Sequence, residues 1–159
     1  MKTLYIMCGP AGVGKSTWIH RNMHPDTGAH VSRDDIRFEK VREDEYYFAR
    51  EDEVCAEYCN RINWYLHNSL YKEVYADATQ ITEASRNKLL SKLNLEGVRV
   101  VPIVFNAPLE TALRQNKKRD GRRRVPASAI HNMYRAFRHP KFDKFEYADI
   151  KEVGKDFYT

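Results

Sequence analysis

The chain is short of cysteine, with three in 159 residues, Cys8, Cys55 and Cys59. That small odd number argues against a disulfide framework and fits a reducing compartment. Glycine and proline are scarce too, at 7 and 6, too few for a collagen-like or low-complexity chain. No stretch approaches the roughly 18 consecutive apolar residues of a membrane span. The start, MKTLYIMCGPAG, opens like a signal peptide but meets Gly and Pro after a few apolar residues and then runs into charge, so it reads as a strand. There is no internal repeat and no linker of interdomain length. Cys55 and Cys59 lie four apart on one helix face, with His67 two turns on, but no second pair stands at metal spacing; buried apolar thiols are the better reading. What remains is an ordinary globular composition, 42% hydrophobic and 31% charged, in a length close to that of one domain, about 150 residues. A single domain over residues 1–159, soluble and cytoplasmic, is expected, with no membrane and no protein partner.

The hydrophobic pattern alternates between strand and helix. Thr3–Cys8 is a short continuous apolar run ending at Gly9, as in a buried parallel strand. A Gly-rich turn follows, then a helix from about Lys15 to Met23 and a second strand at Ala29–Ser32. Asp34–Lys40 begins a helical turn, and Asp44–Leu70 reads as one long helix. Within it Val54, Cys55, Tyr58, Cys59, Ile62, Tyr65 and Leu66 recur at three- and four-residue spacing. Val74–Ala76 is a short strand. Thr82, with Ser85 three on, opens a helix through Leu93 that Gly97 closes. Val98–Phe105 is the strongest strand, Pro108–Asn116 a helix, Lys117–Val125 a basic loop and Pro126–Arg138 a helix. A final strand is expected at Ile150–Val153. Such alternation predicts an α/β fold, a parallel sheet with helices on both faces. Ligands bind such sheets at the carboxyl ends of the strands, where Gly9–Thr17, Ser32–Arg37 and Asp77–Thr79 would share one rim.

The segment Gly9-Pro10-Ala11-Gly12-Val13-Gly14-Lys15-Ser16 fits G-x-x-x-x-G-K-[ST] without a mismatch. Glycines let the backbone curl so that successive N–H groups face phosphate oxygens, and the helix that follows offers its positive end to the same anion. Gly9, Gly12, Val13 and Gly14 form that cradle, and Thr17 extends it. Lys15 supplies a mobile charge for the β- and γ-phosphates of ATP or another nucleoside triphosphate, and the Ser16 hydroxyl is placed to ligate Mg²⁺. A chance match in a glycine-containing turn is disfavoured by the strand before it and the helix after it.

In Ser32-Arg33-Asp34-Asp35-Ile36-Arg37, two adjacent acids at a helix start can merely favour the helix dipole. They also suit phosphoryl transfer. One carboxylate, Asp34 or Asp35, can take the proton of an attacking hydroxyl, and Arg37, on the same helical face as Asp34, can hold an acceptor phosphate. Asp77, at the end of a strand, either lines the metal or acceptor region or initiates a turn with Thr79. The net charge of +5 is concentrated in Arg114–Arg124, RQNKKRDGRRR, with seven basic residues against one acid. Such a run is a solvated surface in many proteins and an anion-binding lid in a phosphate-handling one.

Taken together, GPAGVGKSTW, SRDDIR, ADAT, VFNAPLETALRQNKKR and VPASAIHNMYRAF, in that order between Met1 and Arg138, resemble the kinase module of bacteriophage-type polynucleotide 5′-hydroxyl kinases, within the P-loop kinase superfamily. The resemblance implies a P-loop NTPase-type sheet with a basic lid and transfer of the γ-phosphate of ATP to the 5′-OH end of DNA or RNA, with Mg²⁺. It further implies Lys15 and Ser16 at the phosphates and metal, Asp34 as general base, Arg37 on the acceptor phosphate, Asp77 in the acceptor pocket and Arg119 as lid arginine. The lid departs from the family pattern by one extra residue near Asp120-Gly121 and by Arg122–Arg124, so Arg122 is the alternative to Arg119. The phosphatase domain of larger members has no counterpart in this length. Two other readings are open: a kinase of a small-molecule hydroxyl (nucleoside, sugar or antibiotic), and a nucleotide-dependent switch, disfavoured because a pure ATPase needs no acceptor-side base.

Overall fold

Five parallel strands stand side by side in the order β2-β3-β1-β4-β5 in the computed structural model, which describes residues 1–158. They are β1 Lys2–Cys8, β2 Gly28–Ser32, β3 Glu73–Asp77, β4 Val98–Phe105 and β5 Lys151–Val153. The helices between them are α1 Lys15–Asn22, α2 Arg33–Lys40, α3 Glu51–Leu66, α4 Glu83–Ser91, α5 Leu109–Lys117, α6 Ala127–Ala136 and the short α7 Lys155–Tyr158. No helix among the described residues is long and apolar enough to cross a membrane.

The apolar runs of the central strands are continuous because each strand is buried on both faces. Leu4, Ile6 and Cys8 of β1 point into one core layer, with Val74 and Ala76 of β3 and the α3 residues Val54, Tyr58, Ile62 and Leu66. Met7 of β1 and Tyr75 of β3 point into the other, with Ile19 of α1, Ala112 of α5 and Ile130 of α6. Successive residues of one strand thus anchor two helical layers, which fixes the height at which the loops after β1, β2 and β3 leave the sheet.

Several helix ends differ from expectation, and the long helix stops at Leu66 rather than Leu70. The long helix begins at Glu51 rather than Asp44, because residues 41–50 form a loop tied by ion pairs of Glu45 to Arg42 and Arg50. The start is marked by Glu51, Asp52 and Glu53 in the first turn, where acids meet the positive helix end. Gly97, at φ +71°, turns the chain into β4 and does not close α4, which ends at Ser91. The basic loop contains a single 3₁₀ turn, Gly121–Arg123. The start of α4 is as expected: Thr82 and Ser85 form a reciprocal capping box.

Candidate active site

The turn after β1 is shaped by two glycines. Gly12 and Gly14 both take φ +87°, a left-handed conformation that disfavours any side chain. At Gly12 space forbids one as well, since a Cβ would stand 2.6 Å from the Ala112 carbonyl oxygen of α5. Gly14 caps α1, which carries no acid in its first turn, so the unpaired N–H groups at its positive end face the same turn. The Gly9 amide is committed to the Thr79 carbonyl at 2.9 Å. Val13 is wholly buried, its carbonyl accepting a hydrogen bond from the Tyr158 hydroxyl at 2.8 Å. These two therefore form the wall behind the turn, while Gly12, Gly14, Lys15, Ser16 and Thr17 line the cleft in front of it.

That cleft has a volume of about 890 Å³ and runs along the carboxyl ends of β1, β2 and β3. At one end Lys15 Nζ folds back to donate to Gly9 O at 2.9 Å and Pro10 O at 2.8 Å. Burial lowers the ammonium pKa to about 8, against the opposing pull of Asp77 and Asp34. Ser16 Oγ donates to Asp77 Oδ2 at 2.6 Å, and His30 Nε2 meets the same oxygen at 2.8 Å. Burial pushes the Asp77 carboxyl up. The hydrogen bond with His30, the Lys15 charge and the Ser16 hydroxyl more than offset it, holding the group below its ordinary value.

The other end of the cleft is built by α2 and the start of α3. Arg37 is 6% exposed and spans three partners. Its Nη2 donates to both Glu51 oxygens at 2.7 and 2.9 Å, and its Nη1 to Asp34 Oδ1 at 3.0 Å and to the Tyr47 hydroxyl at 3.4 Å. Arg33 also pairs with Glu51 and reaches Cys55 Sγ. The two neighbouring acids part company here. Asp34 lines the cleft, whereas Asp35 is half-exposed, outside the lining, and pairs with Arg123 at 2.7 Å.

The lid arginines also separate. Arg122 donates to the Val41 and Phe38 carbonyls and lies over the Phe38 ring, Arg123 holds Asp35, and Arg124 binds the Arg119 and Lys117 carbonyls. All four of Arg119, Arg122, Arg123 and Arg124 line the cleft, but the Arg119 guanidinium makes no hydrogen bond to any described residue. Of the two lid candidates it is thus the one left with donors to spare.

His30, Glu51, Tyr47 and Phe48 were absent from the sequence reading and line or support this cleft. Gln80 supports it from behind. It takes φ +43°, rare for a side-chain-bearing residue. Its side-chain amide donates to Met7 O and Ala76 O, at 2.6 and 3.2 Å, its Oε1 accepts from the Tyr58 hydroxyl at 3.0 Å, and its backbone carbonyl accepts from the fully buried Arg86 at 2.8 Å. These bonds tie the ends of β1 and β3 together.

A family model described as an AAA domain matches residues 4–140. No curated protein sequence matches the chain. Among solved structures, a fungal RNA kinase superposes with a TM-score of 0.68 at 12% identity, over 96% of this chain and 38% of that one. A Pnkp1/Rnl/Hen1 RNA repair complex gives 0.69 at 22% identity, over 85% of this chain and 43% of its own. Chaetomium thermophilum Kti12 in complex with ADP-AlF3 gives 0.68 at 13% identity, over 96% and 89%. The chain spans well under half the length of the first two. Likenesses at these identities establish the fold, a P-loop NTPase-type α/β sheet.

Proposed function

The chain belongs to this AAA domain family, and from that premise we propose that it is a phosphotransferase moving the γ-phosphoryl group of ATP, or another nucleoside triphosphate, to the 5′-hydroxyl end of DNA or RNA. The observation that carries this reading is that one cleft has two differently equipped ends. The glycine-rich turn with Lys15 and Ser16 lies at one, and the Asp34 carboxylate, held by Arg37, at the other. Nucleotide hydrolysis alone would need at the second end only a group that positions water, with no arginine set beside it.

In this reading the α1 terminus and the amides around Gly12 and Gly14 receive the β- and γ-phosphates. Lys15 leaves its two loop carbonyls to bind them. The oxygens of Ser16 and Asp77, already adjacent, suit Mg²⁺, which prefers a few protein oxygens beside phosphate and water; when bound it would neutralise charge on the phosphate oxygens. Asp34 accepts the proton of the attacking hydroxyl as the new O–P bond forms and the bond to the β-phosphate breaks. Arg119 faces the donor phosphates, and Asp77 also borders the acceptor side. Arg37 orients Asp34 and grips an acceptor phosphate in exchange for Glu51.

A second reading has its own support. Arg33, Arg37, Asp34 and Glu51 carry two charges of each sign and are paired among themselves, and a balanced cluster suits an uncharged acceptor, such as a nucleoside, sugar or antibiotic hydroxyl. Salt distinguishes the two. With an oligonucleotide acceptor, log KM should rise with log salt at a slope of roughly 0.7 per neutralised phosphate of a single strand, and Arg37→Ala should flatten that slope. A KM indifferent to both salt and Arg37 would transfer the assignment to the small-molecule reading.

The Lys15 ammonium gives a pH expectation. Its charged form binds phosphate, and in the free protein burial sets its pKa at about 8. Raising the pH through 8 therefore removes the binding form. ATP affinity measured without divalent cation should weaken roughly 10-fold from pH 7 to pH 9 by proton linkage. A flat profile would contradict a lowered pKa at a lysine that meets the nucleotide.

A further inference from the structure

Residues 41–50, between α2 and α3, place three consecutive aromatic side chains, Tyr46, Tyr47 and Phe48, beside the Asp34 end of the cleft. They do different things. Tyr47 turns inward, its hydroxyl on Asp34 and Arg37 and its ring 4.9 Å from the Arg37 guanidinium. Phe48 stays 52% exposed and Tyr46 73%. Phe48 is braced rather than loose. It stands edge-to-face with Tyr47, centroids 4.8 Å apart, and with Tyr46 at 5.8 Å, and its centroid is 5.5 Å from the Arg37 guanidinium.

Large apolar side chains exposed among the described residues are Met1, Tyr46, Phe48, Trp64, Leu70 and Phe142, and of these Phe48 alone lines the cleft. The Arg37 guanidinium accounts for only part of this ring, which is still 52% exposed on the wall of the cleft, and a flat apolar ligand is what would cover the rest. The same Arg37 guanidinium touches both the Asp34 carboxylate and the Phe48 ring. A hydroxyl at Asp34 and a ring stacked at Phe48 would thus flank one side chain, Arg37, with Asp34 bonded to it at 3.0 Å on one side and the Phe48 centroid 5.5 Å from its guanidinium on the other, and a nucleoside carries both groups on a single sugar.

We propose that Phe48, buttressed by Tyr46, is the stacking platform for the nucleobase that adjoins the acceptor hydroxyl. This rests on the reading of the cleft as a hydroxyl phosphotransferase and adds that the acceptor must carry a base at its reacting end. Which base matters little, because every base has a π-face and stacking tolerates sequence. The base can come from a polynucleotide end or from a free nucleoside.

The test uses 5′-OH oligonucleotides that differ only in their first nucleotide, which carries a normal base, no base, or 2-aminopurine, whose fluorescence falls when it stacks. Phe48→Ala should raise KM for the base-bearing end about 5- to 150-fold, the range corresponding to loss of one base–aromatic stack. KM for the abasic end should move less than about twofold, and Phe48→Trp should restore the wild-type preference. The wild type should quench 2-aminopurine and Phe48→Ala should not. The same quenching with 2-aminopurine riboside assigns the base to free nucleosides; quenching confined to the oligonucleotide assigns it to polynucleotide ends. If no oligonucleotide or nucleoside accepts phosphate, the phosphotransferase reading fails, while Phe48-dependent quenching still upholds the platform. Equal KM changes for abasic and base-bearing ends, or quenching indifferent to Phe48, overturn the platform and leave transfer standing.

Discussion

Lys15→Ala is expected to reduce phosphoryl transfer to background while the protein remains folded. The side chain belongs to neither core layer; its ammonium reaches only the Gly9 and Pro10 carbonyls of its own turn. Those carbonyls border an open cleft, so water can replace the lysine at little cost. Removing an amine whose charged form is penalised by burial relieves a desolvation penalty, and Asp77, which loses the Lys15 charge, keeps its bonds with Ser16 and His30. The turn keeps its shape through the positive φ of Gly12 and Gly14, not through Lys15. What is lost is the one mobile cation inside the turn, at the phosphates where charge is redistributed during transfer. Circular dichroism and a melting curve close to wild type, with no transferred label, is the expected pair of results. Normal turnover by a folded Lys15→Ala protein would contradict any role of this turn in catalysis.

Asp34→Asn should lower the rate of transfer by ~10²–10⁴-fold, the usual contribution of a positioned general base. Asparagine retains the carbonyl oxygen that accepts from Arg37 Nη1, so the Arg37–Glu51 pair and the cleft geometry should survive, and ATP affinity should change little. The neighbouring Asp35→Asn provides the contrast. Asp35 is half-exposed and its partner is the equally exposed Arg123, and such a surface ion pair contributes roughly 0–1 kcal/mol. Its loss loosens a lid contact without touching the hydroxyl. Pre-steady-state transfer rates for the two variants, beside ATP binding constants, make the comparison. The reverse ranking would move the base one residue along α2.

The sheet was legible because β1, β3 and β4 are covered on both faces, which forces continuous apolar runs that few other structures require. The rim was legible because Gly9, Ser32 and Asp77 each stand at the carboxyl end of a strand, although β2, an edge strand interrupted by His30, gives the weakest apolar signal of the three. The family model covers residues 4–140, a range that contains both the glycine-rich turn and the basic loop. Less was readable where a side chain's role depends on a distant partner. Glu51 lies fourteen residues from Arg37, and His30 forty-seven from Asp77; no local spacing announces either contact. The start of α3 was misplaced because amphipathic spacing carries no stop signal, and only the acids Glu51 to Glu53 mark it. The choice between Arg119 and Arg122 depends on where the guanidinium lands, and Arg122 lands on the α2 carbonyls. Gln80 at φ +43° carries no sequence mark at all, being a non-glycine hydrogen-bonded to four elements.

The most direct measurement of the central claim is transfer of the labelled γ-phosphate of ATP to a panel of hydroxyls in parallel. The panel is a 5′-OH oligonucleotide in DNA and RNA forms, the same oligonucleotide already bearing a 5′-phosphate, free nucleosides and simple sugars. The expected result is label on the 5′-OH oligonucleotide, none on its 5′-phosphorylated twin, higher kcat/KM than for any nucleoside or sugar, and loss of all of it in Asp34→Asn. Label on a sugar or nucleoside in preference to the oligonucleotide, or on none of the panel while ATP is hydrolysed, would contradict it.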